Sequence, residues 1–370
     1  MNIRLTDFIK QHVLSHFGLQ WLELGDTLTL SPLGNGHINA TFLVKWPQGA
    51  MVLQKINTHV FTCPKSVMDN LHLVYQSLVT KAQVQSNSHT QYQLSVARPL
   101  LTQSQQLMLD LGEKGVWRAL EYIESSHCIE EVETPEQAEI AARAFAHFSR
   151  HLMMINPEKM QEVIPDFHHL AMRLAQLNAR VKSDPHNRLQ ACQHWVDFIN
   201  SQTDLIKEVH QTLPTLPKRI CHNDTKINNL LFNKQDMTAL AVIDLDTCMS
   251  GYLLYDFGDM VRTFCSTVEE DSTELNQLKV SEPIFAALCQ GYLSELGEVI
   301  TAAEKQSLWL GARLMCFMLG VRFLADYLVG DHYFTIQSAE HNLQRAANQL
   351  TLYKNLLTQE AHFIRYLSAA

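Results

Sequence analysis

The stretch His222-Asn223-Asp224-Thr225-Lys226-Ile227-Asn228-Asn229 carries a carboxylate, an ammonium and an amide, and a second carboxylate follows at Asp244 in Ala241-Val242-Ile243-Asp244-Leu245-Asp246. The apolar pair Ile220-Cys221 leads into it and Leu230-Leu231-Phe232 leads out. Asn233-Lys234-Gln235-Asp236 then reads as a turn and Ala239 to Ile243 as the next strand. The polar residues are therefore expected in a loop on a hairpin-like platform, with Asp244 just past the neighbouring strand. Functional loops are commonly fixed by a scaffold in this way. Turn-making alone explains one Asn or Asp. It does not explain Asp224, Lys226, Asn229 and Asp244 at offsets 0, +2, +5 and +20.

Composition narrows the classes. At 370 residues, 46% hydrophobic and 18% charged, the chain suits two domains or one large two-lobed unit with an ample core. A net charge of −9 with no basic stripe argues against a nucleic-acid partner. Eight cysteines without any C-x-x-C pairing argue against disulfides and zinc, and for a reducing cytoplasm. No targeting signal is read at the N-terminus. Leu308 to Val329 is apolar but contains Arg313, Arg322 and Asp326, so it is expected to be a buried helix, with no membrane partner.

Outward from the loop, the two halves differ in texture. After a helix over 4–24, the first half has short β-type runs: Thr27–Leu30, Thr41–Trp46, Ala50–Ile56, Gln106–Asp110 and Val116–Ile123. Pro47-Gln48-Gly49 predicts an antiparallel hairpin. A helical segment is expected over 65–80 and a loop over 81–94. From Ile123 the texture turns helical and stays so. The expectation is an α+β protein with a small N-terminal lobe built on an antiparallel sheet, 1–122, and a larger, mostly helical lobe, 123–370. Thr134-Pro135-Glu136-Gln137 is a helix start with a hydroxyl cap and proline at the first turn. Ala138, Ala141, Phe145, Phe148 and Leu152 then line one buried face.

Residue chemistry at the loop points to phosphoryl transfer, which needs in-line positioning and charge neutralisation rather than covalent help. Asp224 is expected to accept the proton of an acceptor hydroxyl as it attacks the γ-phosphorus. Lys226 would offset charge on the moving group, and Asn229 with Asp244 would offer oxygen ligands to Mg²⁺, a hard cation. His222 is expected to brace the loop. In the N-terminal lobe, Gly34 and Gly36 of Leu33-Gly34-Asn35-Gly36-His37 suit a turn whose backbone covers nucleotide phosphates, although a tight turn needs glycine anyway. Lys55 suits the strand lysine that meets the α- and β-phosphates, with a solvated strand lysine as the other reading and Gln54 as the fallback on the opposite face. No glutamate occurs between residues 24 and 112 to steady it; Asp69 is the only acid of its helical segment. Glu121, Tyr122 and Ile123 fall at the lobe boundary, where a hinge offers its backbone to an adenine edge.

His222-Asn223-Asp224-Thr225-Lys226-x-Asn228-Asn229, Ile243-Asp244-Leu245-Asp246-Thr247 and Gly251-x-x-x-Tyr255-Asp256-Phe257-Gly258-Asp259 resemble the aminoglycoside phosphotransferase/choline kinase superfamily. Within it they look most like the bacterial N-acetylhexosamine 1-kinases, and Leu53-Gln54-Lys55-Ile56-Asn57, Ile164-Pro165-Asp166-Phe167-His168 and the run from Arg322 to Phe334 extend the likeness over most of the chain. The resemblance implies a two-lobed, protein-kinase-like fold, ATP and Mg²⁺ as cofactors, and His37, Asp224, Arg322 and Tyr333 on the acceptor. Asp256-Phe257-Gly258 spells the tripeptide that carries the metal aspartate in protein kinases, yet no clear strand delivers it. Asp244 is the better ligand, and Asp256 is expected to anchor the loop from a helix N-terminus.

A cationic acceptor calls for an acidic or aromatic-caged pocket. Residues 304–370 carry five acids against six bases, which gives no such wall. A neutral sugar is the expected partner, phosphorylated at the anomeric hydroxyl of N-acetylglucosamine or N-acetylgalactosamine. A related kinase of choline, homoserine or an aminoglycoside stands as the alternative, and a catalytically silent nucleotide-binding module as the remaining one.

Overall fold

Alternation of apolar and polar residues along Ala40–Trp46 and Gly49–Ile56 makes them antiparallel neighbours, closed by Pro47-Gln48 with Trp46 opposite Gly49. The computed structural model of the chain describes residues 3–34, 38–85 and 94–369. Within it two compact units form. The first comprises Met1–His127, Glu158–Ile164 and Phe232–Met249; the second comprises Cys128–Pro157, Pro165–Leu231 and Ser250–Ala370. The mixed α+β architecture expected from the sequence is present, with the antiparallel sheet towards the N-terminus and helices dominating the rest.

In the first unit the sheet runs Thr29–Pro32, Ala40–Trp46, Gly49–Ile56, Val116–Glu121, Pro99–Leu100, and Leu109–Asp110 also pairs with Val116–Glu121. Register decides the faces, because successive strand residues point oppositely. Met51, Leu53, Trp117 and Ala119 face a core that includes Ile9 of the helix Ile3–His12 and Val13 just after it. Lys55 is opposite Trp117 and Gln54 is opposite Arg118. The Gln54 and Arg118 face looks towards the helix Pro64–Gln85, where Arg118 Nη1 meets Met68 Sδ at 3.8 Å. That helix continues into the segment expected to be loop from residue 81. A smaller sheet has Ser95–Val96 parallel to Ala239–Val242, then Leu230–Asn233 and Ser126–His127.

The second unit is built on helices. Pro135–Leu152 begins with the expected capping box, Thr134 Oγ1 accepting from the Gln137 N–H and the Gln137 side chain accepting from the Thr134 N–H; such caps contribute about 1 kcal/mol. Its face of Ala138, Ala141, Phe145, Phe148 and Leu152 is buried as expected. The helix Ala302–Val329 is long and apolar enough to cross a membrane by length and composition alone, but 89% of its apolar window is buried inside the protein. It packs against Leu253–Phe264 at glycines: a Cβ at Gly258 would lie 2.1 Å from the Gly311 carbonyl oxygen. Two shorter helices, Leu189–Ser201 and Thr203–Thr212, meet at Gln202. All eight cysteines are free thiols.

Candidate active site

His222 to Asn229 leaves the strand Arg219–Cys221 and ends in a short turn, Ile227–Asn229. The loop is held from below by the helix Leu253–Phe264. Asp256, in its first turn, accepts the N–H of His222 at 2.9 Å and of Asn223 at 2.8 Å, and its own carbonyl accepts the Thr225 hydroxyl at 2.7 Å. One turn later Asp259 accepts the Thr225 N–H at 2.7 Å. Asp256 therefore anchors the loop, as the sequence suggested. Asn223 takes a left-handed φ of 64°, which lets consecutive N–H groups converge on one carboxylate. Burial pushes the Asp256 carboxyl up to about 6 against the opposing pull of His222 and the two N–H donors.

His222 is fully buried, its ring edge-on to Phe145 and Phe148, and its Nδ1 accepts the Asp224 N–H at 3.3 Å. Bracing is what those contacts provide. Asp224 sits with one oxygen 3.2 Å from Lys226 Nζ and the other accepting from Asn229 Nδ2 at 3.0 Å. Burial pushes its carboxyl up, but Lys226, His222 and Arg262 outweigh that and leave it below its ordinary value. Asp224 is thus an anion held ready to accept a hydroxyl hydrogen. Asn229 spends its nitrogen twice on Asp224, on the carbonyl at 2.8 Å as well as on the carboxylate. That orientation turns its Oδ1 away from the aspartate, in keeping with an oxygen ligand for a hard cation.

A buried charge network that the sequence did not reveal backs this loop. Asp259 pairs with Arg262 at 2.6 Å, Arg262 with Glu270 at 2.7 Å, and Glu270 with Arg345. Burial pushes Glu270 up, yet Arg345, Arg262 and Lys226 bring it down to about 2.

Arg322 and Tyr333 come together in the same unit. The Arg322 guanidinium lies over three rings, with centroids at 4.9 Å for Phe167, 5.5 Å for Tyr333 and 5.4 Å for Phe334. Burial lowers it to about 10, Arg173 and Arg262 adding to that effect and Tyr333 and Asp224 opposing it. The pairing of Arg322 with Asp326 that helical spacing allows is not what forms. Asp326 instead accepts the N–H groups of His332, Tyr333 and Phe334, fixing the turn that presents Tyr333. Beside Phe167, His168 is buried, and desolvation with the Arg322 charge brings it down to about 3, so it is neutral.

The expected nucleotide residues all belong to the first unit. Gly34 has φ +70° with open space beyond its Cα; Gly36 and His37 lie outside the described residues. Lys55 lies on the face of Trp117, with Nζ 6.0 Å from its ring, and its stem runs along Gly115, where a Cβ would come within 2.2 Å of Cε. Among the described residues no carboxylate pairs with it, and Asp69 pairs with Lys65 instead. Lys55 thus stands on the Trp117 side of its strand, and Gln54, the fallback on the opposite face, stands beside Arg118. The Glu121 N–H is taken by the Arg98 carbonyl at 2.8 Å, and the Ile123 carbonyl accepts from Ser126 Oγ at 2.6 Å, so the expected hinge edge is already engaged on either side of Tyr122. Asp244 stands one residue beyond the strand Ala239–Val242, after Ile243, and takes φ +57°, a left-handed conformation uncommon outside glycine.

The family model described as a phosphotransferase enzyme family (APH) matches residues 29–295, and the chain belongs to that family. It is a small-molecule phosphotransferase. Three solved structures share its fold. A microcompartment-associated aminopropanol kinase is 19% identical, with a TM-score of 0.60 over 96% of this chain and 98% of that one. An aminoglycoside phosphotransferase from Alicyclobacillus acidocaldarius is 13% identical, with a TM-score of 0.61 over 97% and 96%. A spectinomycin phosphotransferase, solved with ADP and spectinomycin, is 12% identical, with a TM-score of 0.54 over 99% and 97%. At such identities the likeness is one of fold.

Proposed function

We propose that the protein transfers the γ-phosphoryl group of ATP to a hydroxyl of a neutral sugar, and specifically to the anomeric hydroxyl of an N-acetylhexosamine. The observation that carries this reading is the state of Arg322. Aromatic rings suited to caging an ammonium are already covered by the chain's own guanidinium, with Arg173 close enough to depress it further. A cationic acceptor would meet positive charge there. Sugar hydroxyls and an amide carbonyl suit the fork of donors that an arginine presents.

In this reading the acceptor hydroxyl donates to Asp224, which takes its proton as the phosphorus is attacked. A carboxylate held below its ordinary pKa is a weak base, suited to a loose transition state in which the proton leaves late. Lys226 stays protonated, raised chiefly by Asp224 and opposed by burial, and offsets charge on the transferred group. Asn229 and Asp244 are oxygen donors of the kind Mg²⁺ takes and would hold it; the ion supplies neutralisation of the phosphate oxygens. Gly34, Gly36, the Glu121–Ile123 segment and Lys55 are assigned to the nucleotide, and His37, Arg322 and Tyr333 to the sugar. The free thiols fit a cytoplasmic setting.

The test is a phosphorylation assay with N-acetylglucosamine and N-acetylgalactosamine beside choline, aminopropanol, homoserine and an aminoglycoside. Turnover confined to the amines or amino alcohols would sink the sugar reading and leave the phosphotransferase standing. No turnover of any acceptor, with ATP still bound, would favour a silent module.

A further inference from the structure

The first unit buries one cation that has no part in the roles assigned so far. Arg118 stands in the middle of Val116–Glu121 and is 1% exposed. Its Nη1 lies 2.6 Å from Asp246 Oδ1, a contact of charge rather than an aligned hydrogen bond, and its Nε donates to Gln54 Oε1 at 2.8 Å. Gln54 is fixed in turn by donating to Thr41 Oγ1 at 3.0 Å, so its carbonyl must face the guanidinium. The other oxygen of Asp246 accepts from Asn39 Nδ2 at 2.7 Å, and Asn39 Oδ1 accepts the Asn57 N–H at 2.9 Å. Asp246 is thus engaged at one oxygen by a strand residue, Arg118, and at the other by Asn39, which leads into the strand Ala40–Trp46.

Asp246 lies in the turn Leu245–Thr247, which Asp244 enters from a left-handed conformation. A non-glycine residue keeps such a backbone only when its surroundings over-determine it. The buried Arg118–Asp246 pair supplies that determination two residues away. A buried ion pair is a poor source of stability against apolar residues of the same volume. Its better use is to fix a geometry.

We propose that Arg118 is the positioning residue for the metal-and-nucleotide end of the site. Through Asp246 it sets the turn that presents Asp244, and with Gln54 it replaces a strand lysine steadied by a helix carboxylate. The absent glutamate in the helix Pro64–Gln85 then has a reason: the cation there is on the next strand, and its anion comes from the segment that follows Ala239–Val242. This rests on the reading of Asp244 as a magnesium ligand.

Calorimetric binding of ADP to the full chain, with and without Mg²⁺, tests the assignment, since it needs no acceptor. Arg118→Met is expected to weaken the Mg²⁺-dependent part of ADP binding about 10- to 100-fold, the usual cost of removing a group that orients a metal ligand. Binding without metal should change less than about threefold. Arg118→Lys keeps charge without the fork and should fall between. Asp246→Asn should reproduce the Arg118→Met effect, and the double variant should add little to either. Lys55→Ala, a change within the nucleotide set, should weaken ADP binding about equally with and without Mg²⁺. Should Arg118→Met not fold, Arg118→Lys and Asp246→Asn carry the test, with melting temperature reporting folded protein. Folded variants with wild-type Mg²⁺ dependence overturn the proposal, as does a Mg²⁺ defect that appears in Lys55→Ala and not at Arg118. A wild-type chain that binds Mg²⁺–ADP yet phosphorylates no sugar overturns the acceptor assignment alone; an Arg118 effect in that protein still supports the proposal.

Discussion

Two aspartates expected to work on the same phosphate are held by opposite means. Asp224 lies in a loop whose backbone N–H groups converge on carboxylates, Asp256 and Asp259, from one helix. Asp244 leads into a turn whose carboxylate, Asp246, is held by the side chains of Arg118 on a strand and Asn39 just before one. In the first case anions in the scaffold grip the main chain; in the second a cation in the scaffold grips an anion in the loop. The first arrangement tolerates changes of loop side chain, because the grip is on peptide groups. The second depends on one guanidinium, so its failure should be abrupt.

The largest expected effect removes the chemistry and keeps both grips. Asp224→Asn should lower kcat by about 10²- to 10⁴-fold, the usual share of a positioned general base, with ATP affinity within a few-fold of wild type in a direct binding measurement. Next, Asp246→Leu leaves Arg118 buried and unpaired. A loss of about 3–5 kcal/mol in denaturant unfolding is expected, most of it recovered in Arg118→Met/Asp246→Leu. A double variant as unstable as the single would show that the pair contributes more than mutual compensation.

The contrast sharpens with pH. Glu270 is held at about 2, below the ordinary 4.5, so its stabilisation is fully present above pH 4.5 and is lost as pH falls through about 2. Glu270→Gln should therefore cost on the order of 2–3 kcal/mol at neutral pH, a difference that fades between pH 4.5 and 2 in acid-unfolding curves. A gap constant with pH would refute the assignment. Asp256→Asn replaces one of two N–H acceptors by a donor and should cost about 1–3 kcal/mol. Because the Asp256 carboxyl stands at about 6, kcat of the wild type should fall as pH drops through that value, before Asp224, which titrates lower, takes up a proton.

What the sequence revealed follows the same division. The Asp224 loop, its anchor at Asp256 and the capped helix from Thr134 are signalled by residues near one another in the chain or by helical period. Arg118 and Asp246 are far apart in sequence, and nothing local to either announces the other. Lys55 and Gln54 differ by one residue, and a strand's period of two turns that into opposite faces, so composition favoured the lysine while the pairing register favoured its neighbour. Glu270 was invisible because its worth comes from Arg262 and Arg345, each contributed by a different part of the chain. The glycine contact of Gly258 on Gly311 is likewise legible only once two helices are side by side.

The distribution of thiols has an experimental use. Six cysteines are buried, whereas Cys63 and Cys128 are exposed, one in each compact unit. Hydrogen bonding to Ser66 holds the Cys63 thiol below its ordinary pKa, while partial burial of the sulfur and the Glu130 charge push Cys128 up. Thiolate fraction governs alkylation rate, so Cys63 should take a maleimide dye first at mildly acidic pH and Cys128 a second dye on raising the pH. The natural chain thereby accepts two different fluorophores in sequence, one on each unit, without an engineered cysteine.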